Sequence, residues 1–248
     1  MSINLVYYVG PSHNDHAQLR YSLRAAAATL ELGEVWIVGT IPSWLVNAGC
    51  IPVEQGRYKS INTWRNWTAI AAACQHGLLP GRFTIMMDDV YVHRPGWGWA
   101  DVEGRTLPHA LSLGPAVHYL EQSPTWGAGR VTLMRETLDL LDPLVAHNYD
   151  LHTPFPVHAH QFAQIVPAMN RWFTWDGRSG RRFLERTLYA NLAGYRPIVV
   201  DQDVKVYGDQ EPPGLPWWST SDEAFNDGQA GKLIRATWPE PSWYERCE

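Results

Sequence analysis

Two adjacent carboxylates, Asp88 and Asp89, follow directly on the apolar run Phe83-Thr84-Ile85-Met86-Met87. Such a run reads as a buried strand, and in open α/β sheets ligands bind beyond the carboxyl ends of the strands. Two neighbouring carboxylates there repel each other and lose hydration unless positive charge compensates. A hard divalent cation, Mg or Mn, shared with the oxygens of a diphosphate would supply that charge. The plainer reading is a polar strand end with two solvated acids.

His152 is the second candidate. Pro154 and Pro156 follow it closely and fix the backbone beside the imidazole. His158 and His160 come within nine residues of it, a spacing that admits a zinc site, although no acid or cysteine nearby completes a ligand set. Arg178 opens the basic, glycine-containing stretch Arg178-Ser179-Gly180-Arg181-Arg182. Glycine lets a backbone approach an anion, and the guanidinium fork matches phosphate oxygens. Arg20 and Arg24, four residues apart, either point at phosphates or lie exposed on a helix.

These groups need a scaffold. Ile3 to Val9 reads as a buried strand ended by Gly10-Pro11-Ser12. A helix follows, capped by Asn14 or Asp15, with Leu19, Leu23, Ala26, Ala27 and Leu30 at helical spacing and Gly33 as its stop. Val35 to Val38 is a second strand and Ile51 to Val53 a short edge strand. Helices are expected over Thr63–Gln75, Val157–Met169, Arg181–Leu192 and Asp222 to about Arg235. Arg130–Met134 reads as a strand leading into a helix, and Ile198–Val200 and Val204–Tyr207 as strands. The stretch from His93 to Pro108, rich in Gly, Pro and Trp, reads as a long loop. Strand, helix and strand in succession predict a parallel sheet with right-handed crossovers.

Composition removes several classes. The 248 residues suit a single domain spanning 1–248, and 45% hydrophobic with 18% charged residues excludes wholesale disorder. No apolar run is long enough to cross a membrane, and the first residues lack the pattern of a secretion signal. Three dispersed cysteines, Cys50, Cys74 and Cys247, give no disulfide framework and suit a cytoplasmic location. A net charge of −5 makes a nucleic-acid partner unlikely, a DNA-modifying sugar transferase included. Thirteen tryptophans suit packing and also sugar rings. The Gly-x-Gly-x-x-Gly fingerprint is absent after Gly10, as are a phosphate-binding Gly-Lys-Ser/Thr loop and a Gly-x-Ser-x-Gly elbow. Dehydrogenase, P-loop NTPase and α/β-hydrolase readings are therefore disfavoured.

Several separated blocks together resemble the Stealth-type sugar-phosphate transferases, a family that includes bacterial capsule enzymes and the lysosomal-targeting GlcNAc-1-phosphotransferase. They are Ile3–Tyr7 with Gly10, Leu19–Arg24, Val35–Gly39 with Pro42 and Trp44-Leu45, Asn62 and Asn66, Arg82–Tyr91, Leu151–Pro154, Arg178-Ser179, Ser221-Asp222 and Trp238–Glu245. Short bacterial and phage chains of this look are also called glycosyltransferases. The chain departs from the family pattern at Asn4, where Asp is usual, and at Met87, where Asn commonly precedes the acid pair.

The resemblance implies an α/β, glycosyltransferase-A-like fold with a mainly parallel central sheet flanked by helices. It implies an enzyme that uses a nucleotide-sugar donor, such as a UDP-sugar, and a carbohydrate or other hydroxyl acceptor. Sugar-1-phosphate would pass to the acceptor and a nucleoside monophosphate would leave. Asp88 and Asp89 would hold Mg or Mn, Arg178 and Arg20 would stabilise phosphate charge, and His152 would be the general base or phosphoryl carrier. Asp222 would orient the acceptor, hold metal or orient His152, while Gly10, Asn62 and Asn66 would lie against the donor. Two alternatives stay open. One is a glycosyltransferase attacking the anomeric carbon and releasing a nucleoside diphosphate. The other is a carbohydrate-binding protein without catalysis.

Overall fold

The computed structural model describes residues 2–94, 109–122, 128–201 and 203–246. The fold is mixed α/β around a mainly parallel five-stranded sheet. Strands β1 (Ile3–Val9), β2 (Leu32–Gly39), β3 (Gly49–Pro52) and β4 (Arg82–Met87) run parallel. With the antiparallel β7 (Phe155–His158) they stand in the order β3-β2-β1-β4-β7. Both faces of the sheet are covered, which explains the near-continuous apolar runs of β1 and β4. Leu5, Tyr7 and Val9 pack on α1 (Ala17–Thr29), whereas Val6 turns to α2 (Lys59–Gln75), the alternation a strand imposes. On the α2 face, α5 (Ala159–Met169) and α6 (Glu185–Leu192) complete an aromatic core in which Trp67 meets Phe162 at 5.2 Å and Tyr189 at 6.0 Å.

A second sheet grows from the acid turn. β5 (Val90–Val92) leaves Asp89 and pairs antiparallel with β10 (Trp217–Thr220), which pairs in parallel with β9 (Lys205–Val206). A third pair joins β6 (His109–Ser112) to β8 (Arg196–Val199). The remaining helices are α3 (Ala116–Gln122), α4 (Ala128–Leu138), α7 (Asp222–Asn226) and α8 (Gln229–Thr237).

Several expectations are corrected. Residues 130–134 are helical, inside α4, because Met134 and Leu138 meet Ala116 and Tyr119 at helical spacing. The expected helix from Val157 begins only at Ala159, since Phe155–His158 is claimed by the edge of the sheet. α1 has no side-chain cap from Asn14 or Asp15. Asp15 and His16 both have positive φ, and the Ser12 hydroxyl accepts the His16 N–H instead. Gly33 lies within β2, and α1 stops at Thr29. The last helix is broken in two at Gly228, where a Cβ would lie 2.3 Å from the Gly208 carbonyl. Most of the loop expected over 93–108 lies outside the described residues. No described helix is long and apolar enough to cross a membrane.

The C-terminal segment is tied to α1 by charge. Arg24 makes a bidentate pair with Glu245 at 2.8 and 2.7 Å and donates to the Pro239 carbonyl at 2.7 Å. Their side chains are 10% and 1% exposed, so removing one partner strands the other away from water. Glu245→Ala is expected to cost about 3 kcal/mol of stability, read by urea unfolding.

Candidate active site

The carboxyl ends of β1, β2 and β4 coincide. Val9 stands opposite Gly39, and Tyr8 opposite Met87, so Gly10, Thr40 and Asp88 emerge on one edge. Because β7 runs antiparallel, with Phe155 opposite Ile85, its entry loop brings His152 to that same edge. Close packing under the edge demands glycine at 39. Its φ is +116°, and a Cβ would lie 2.1 Å from the Val9 carbonyl.

Asn62 and Asn66 shape this floor from α2. Asn62 accepts the Gly56 N–H at 2.6 Å and donates to the Gly56 carbonyl at 2.9 Å. Asn66 accepts from Gln55 at 3.0 Å and donates to the Val9 carbonyl at 3.4 Å. Both side chains are buried and grip the protein's own backbone around the donor position expected for them. Beside Gly10 a side chain would meet nothing within 4 Å.

Asp88 and Asp89 form the turn between β4 and β5. Burial, reinforced by the charge of Asp89, lifts the Asp88 carboxyl well above the ordinary range, and Lys59 and Lys205 only partly offset this. Burial also works against Asp89, but Lys205, His152 and Lys59 outweigh it and hold that carboxyl below its usual range. The contact responsible is an ion pair, Lys205 Nζ to Asp89 Oδ2, at 2.9 Å. Its geometry follows from the small sheet. Lys205 stands opposite Ser219, Ser219 opposite Val90, and the Thr220 N–H holds the Asp89 carbonyl at 3.1 Å. Asp89 Oδ1 is buried and has no hydrogen-bond partner among the described residues.

His152 has a dedicated orienting acid. Asp203 Oδ2 lies 3.0 Å from its Nδ1, and Asp203 Oδ1 accepts the His152 N–H at 3.1 Å and the Val204 N–H at 2.8 Å. A carboxylate only accepts, so Nδ1 donates to Asp203, and the basic nitrogen of the neutral tautomer is Nε2. Burial raises the cost of charging Asp203, yet the His152 contacts and Arg130 hold it below the usual carboxylate range. Arg130 is itself fixed by Asp150 at 2.6 Å. From beneath, the buried Arg186 donates to the carbonyls of Leu151 and Thr153, each at 2.7 Å, and so clamps the loop on both sides of His152.

The other candidates are placed as follows. Arg178 is exposed, in a loop whose turn is closed by Asp176 accepting the N–H groups of Arg178 and Ser179 at 2.8 Å each. Gly177 in that loop presses on the Tyr58 ring, next to Lys59, whose charge reaches both acids. Arg20 is engaged within the protein. It pairs with Asp15 at 3.0 Å and Glu245 at 3.6 Å and lies 4.5 Å over Trp44, so its guanidinium serves the C-terminal clamp. Asp222 is the exposed first residue of α7, behind the Ser221 cap. The residue that orients His152 is Asp203. His160 is exposed on α5 and His158 closes β7. Among the described residues no three His, Cys, Asp or Glu side chains form a metal-binding group, so the three histidines make no zinc site there.

Sequence reasoning missed Asp203, Lys205 and Glu185. The first two lie 51 and 116 residues from their partners. Glu185 opens α6. Burial, with Asp150 adding to it, pushes its carboxyl up to about 8 against Arg186 and Arg182, and its charge also reaches Tyr8 at the end of β1.

In the folded chain Glu185 keeps its proton up to about pH 8, whereas in the unfolded chain it ionises near 4.5. The folded state therefore binds more protons between those values, and stability falls as pH rises through that window. Glu185→Gln should remove this loss. It is expected to gain about 4 kcal/mol over the parent at pH 8 and little at pH 4, measured by denaturant unfolding at both pH values.

No protein-family model matches the chain, and no curated protein matches its sequence. Among solved structures, similarity is found to a glycosyltransferase involved in glycosylation of the major capsid of PBCV-1, with 13% identity, a TM-score of 0.44 and 84% of each chain covered. The apo-form glycosyltransferase GlyE of Streptococcus pneumoniae TIGR4 is similar at 9% identity and a TM-score of 0.42, over 80% of this chain and 45% of that one. At these levels nothing about the chemistry of this chain is drawn from either.

Proposed function

We propose that this chain is a nucleotide-sugar-dependent transferase of glycosyltransferase-A-like architecture, passing sugar-1-phosphate from a donor such as a UDP-sugar to a hydroxyl acceptor. The observation that carries the reading is the oriented base His152–Asp203, on the same sheet edge as the Asp88–Asp89 turn. In this reading Nε2 of His152 takes the acceptor hydroxyl proton as that oxygen bonds to the phosphorus next to the sugar. The bond from phosphorus to the nucleoside monophosphate breaks, and the monophosphate leaves. Transfer of this kind depends on positioning and charge neutralisation more than on covalent chemistry. Asp203 holds the imidazole in its base tautomer, Arg186 fixes its loop, and the exposed Arg178 would meet phosphate charge.

The acid turn fits a divalent Mg or Mn ion. Its donors are carboxylate oxygens, and Asp89 Oδ1 is buried with no hydrogen-bond partner among the described residues. Asp88 and Asp89 would hold the ion, which when bound would neutralise the donor's phosphate oxygens.

The nucleotide released from UDP-sugars in the presence of Mn2+ and pooled sugar acceptors tests the reaction. UMP is the expected product, and UDP would place the attack at the anomeric carbon and make the chain a glycosyltransferase. His152→Ala should lower kcat by about 10²–10⁴-fold. Asp203→Asn should lower it on the order of 10²-fold with KM for the donor little changed. Unchanged kcat in both variants removes the base from the mechanism. Chelation with EDTA should abolish turnover and Mn2+ should restore it.

A further inference from the structure

Lys205 sits where a metal's charge is wanted. Its ammonium lies 2.9 Å from Asp89 Oδ2, and the two side chains are 14% and 13% exposed, so water screens the pair little. The contact is built in. β9 carries Lys205 at a fixed register on β10, and β10 holds the Asp89 backbone. The charge of Lys59 adds to it. A divalent ion approaching Asp89 therefore meets a resident cation on one oxygen, and among the described residues no third His, Cys, Asp or Glu joins the acids in a ligand set.

We propose that Lys205 is an internal counter-cation that competes with the divalent ion for Asp89, so that the free protein binds metal weakly and an anionic donor admits it. A diphosphate brings negative charge of its own. The flexible lysine stem lets the ammonium turn from Asp89 to a phosphate oxygen, which frees Oδ2 while keeping the site near neutral. Lys205 is thus a donor-binding group as well as a gate for the metal. The inference rests on the metal site of the proposed function.

Titration calorimetry with MnCl2 on the donor-free protein tests it. Lys205→Met and Lys205→Gln should each bind Mn2+ at least about tenfold more tightly than the parent, because a like charge has been removed. Lys205→Arg, which keeps the charge, should behave as the parent. Circular dichroism establishes that each variant is folded, and either neutral variant suffices. If the parent binds Mn2+ alone as tightly as the neutral variants do, the role of Lys205 is overturned and the metal site stands. If neither parent nor variants take up Mn2+, alone or with UDP, the metal site falls and the gate with it.

Discussion

Two carboxylates at the end of a buried strand are the constraint around which the site is arranged. Without compensation, burial would protonate both and leave no anionic group to hold a cation. The chain divides the load unequally. Asp89 is kept ionised chiefly by Lys205, with Lys59 adding to it, while Asp88 is left to burial and to its neighbour's charge. The compensating charges come from two separate parts of the chain, which ties the acid turn to the start of α2 and to β9. The second sheet can be understood on the same terms. Its residues pack into one core with α1 and the first sheet, and its strand pairing brings Lys205 to Asp89 at a fixed register.

Much of the scaffold was legible because it rests on local pattern. The apolar runs of β1, β2 and β4, the alanine-rich face of α1 and the acids after Met87 need only their own neighbours to be recognised. The α/β class and the mainly parallel sheet followed from that order. What escaped depends on distant partners. β10, Trp217-Trp218-Ser219-Thr220, is buried on every residue, so no polar alternation marks it. Val131-Thr132-Leu133 reads as strand by propensity, yet the packing of Met134 and Leu138 decides for helix. Phe155–His158 contains a proline and lies on the sheet edge, where a missing N–H is tolerated. The partners of His152 and Asp89 could not be read, since nothing near either residue in sequence announces them.

The arginines show how residue type under-determines role. Arg20, Arg24, Arg178 and Arg186 all suit anions by chemistry. Arg24 and Arg20 spend that capacity on Glu245, and Arg186 spends its own on two backbone carbonyls. Of the four, Arg178 alone is exposed. The C-terminal block that resembles a family motif is, in this chain, the clamp that holds the tail to α1.

The segment from Asp203 to Lys205 then takes on a weight its composition does not suggest. Asp203 and Lys205 are two residues apart, and in extended chain such positions project to the same side. Val204 between them is buried in the core, which fixes the rotation of the segment. Opposite charges at those two positions serve two different halves of the site: the acid orients a base, and the ammonium neutralises an acid. A one-residue slip of β9 against β10 would turn both away together, because the side-chain period of a strand is two. The imidazole of His152 and the carboxylate of Asp89 are therefore coupled mechanically through three residues, by the strand pairing that sets their register.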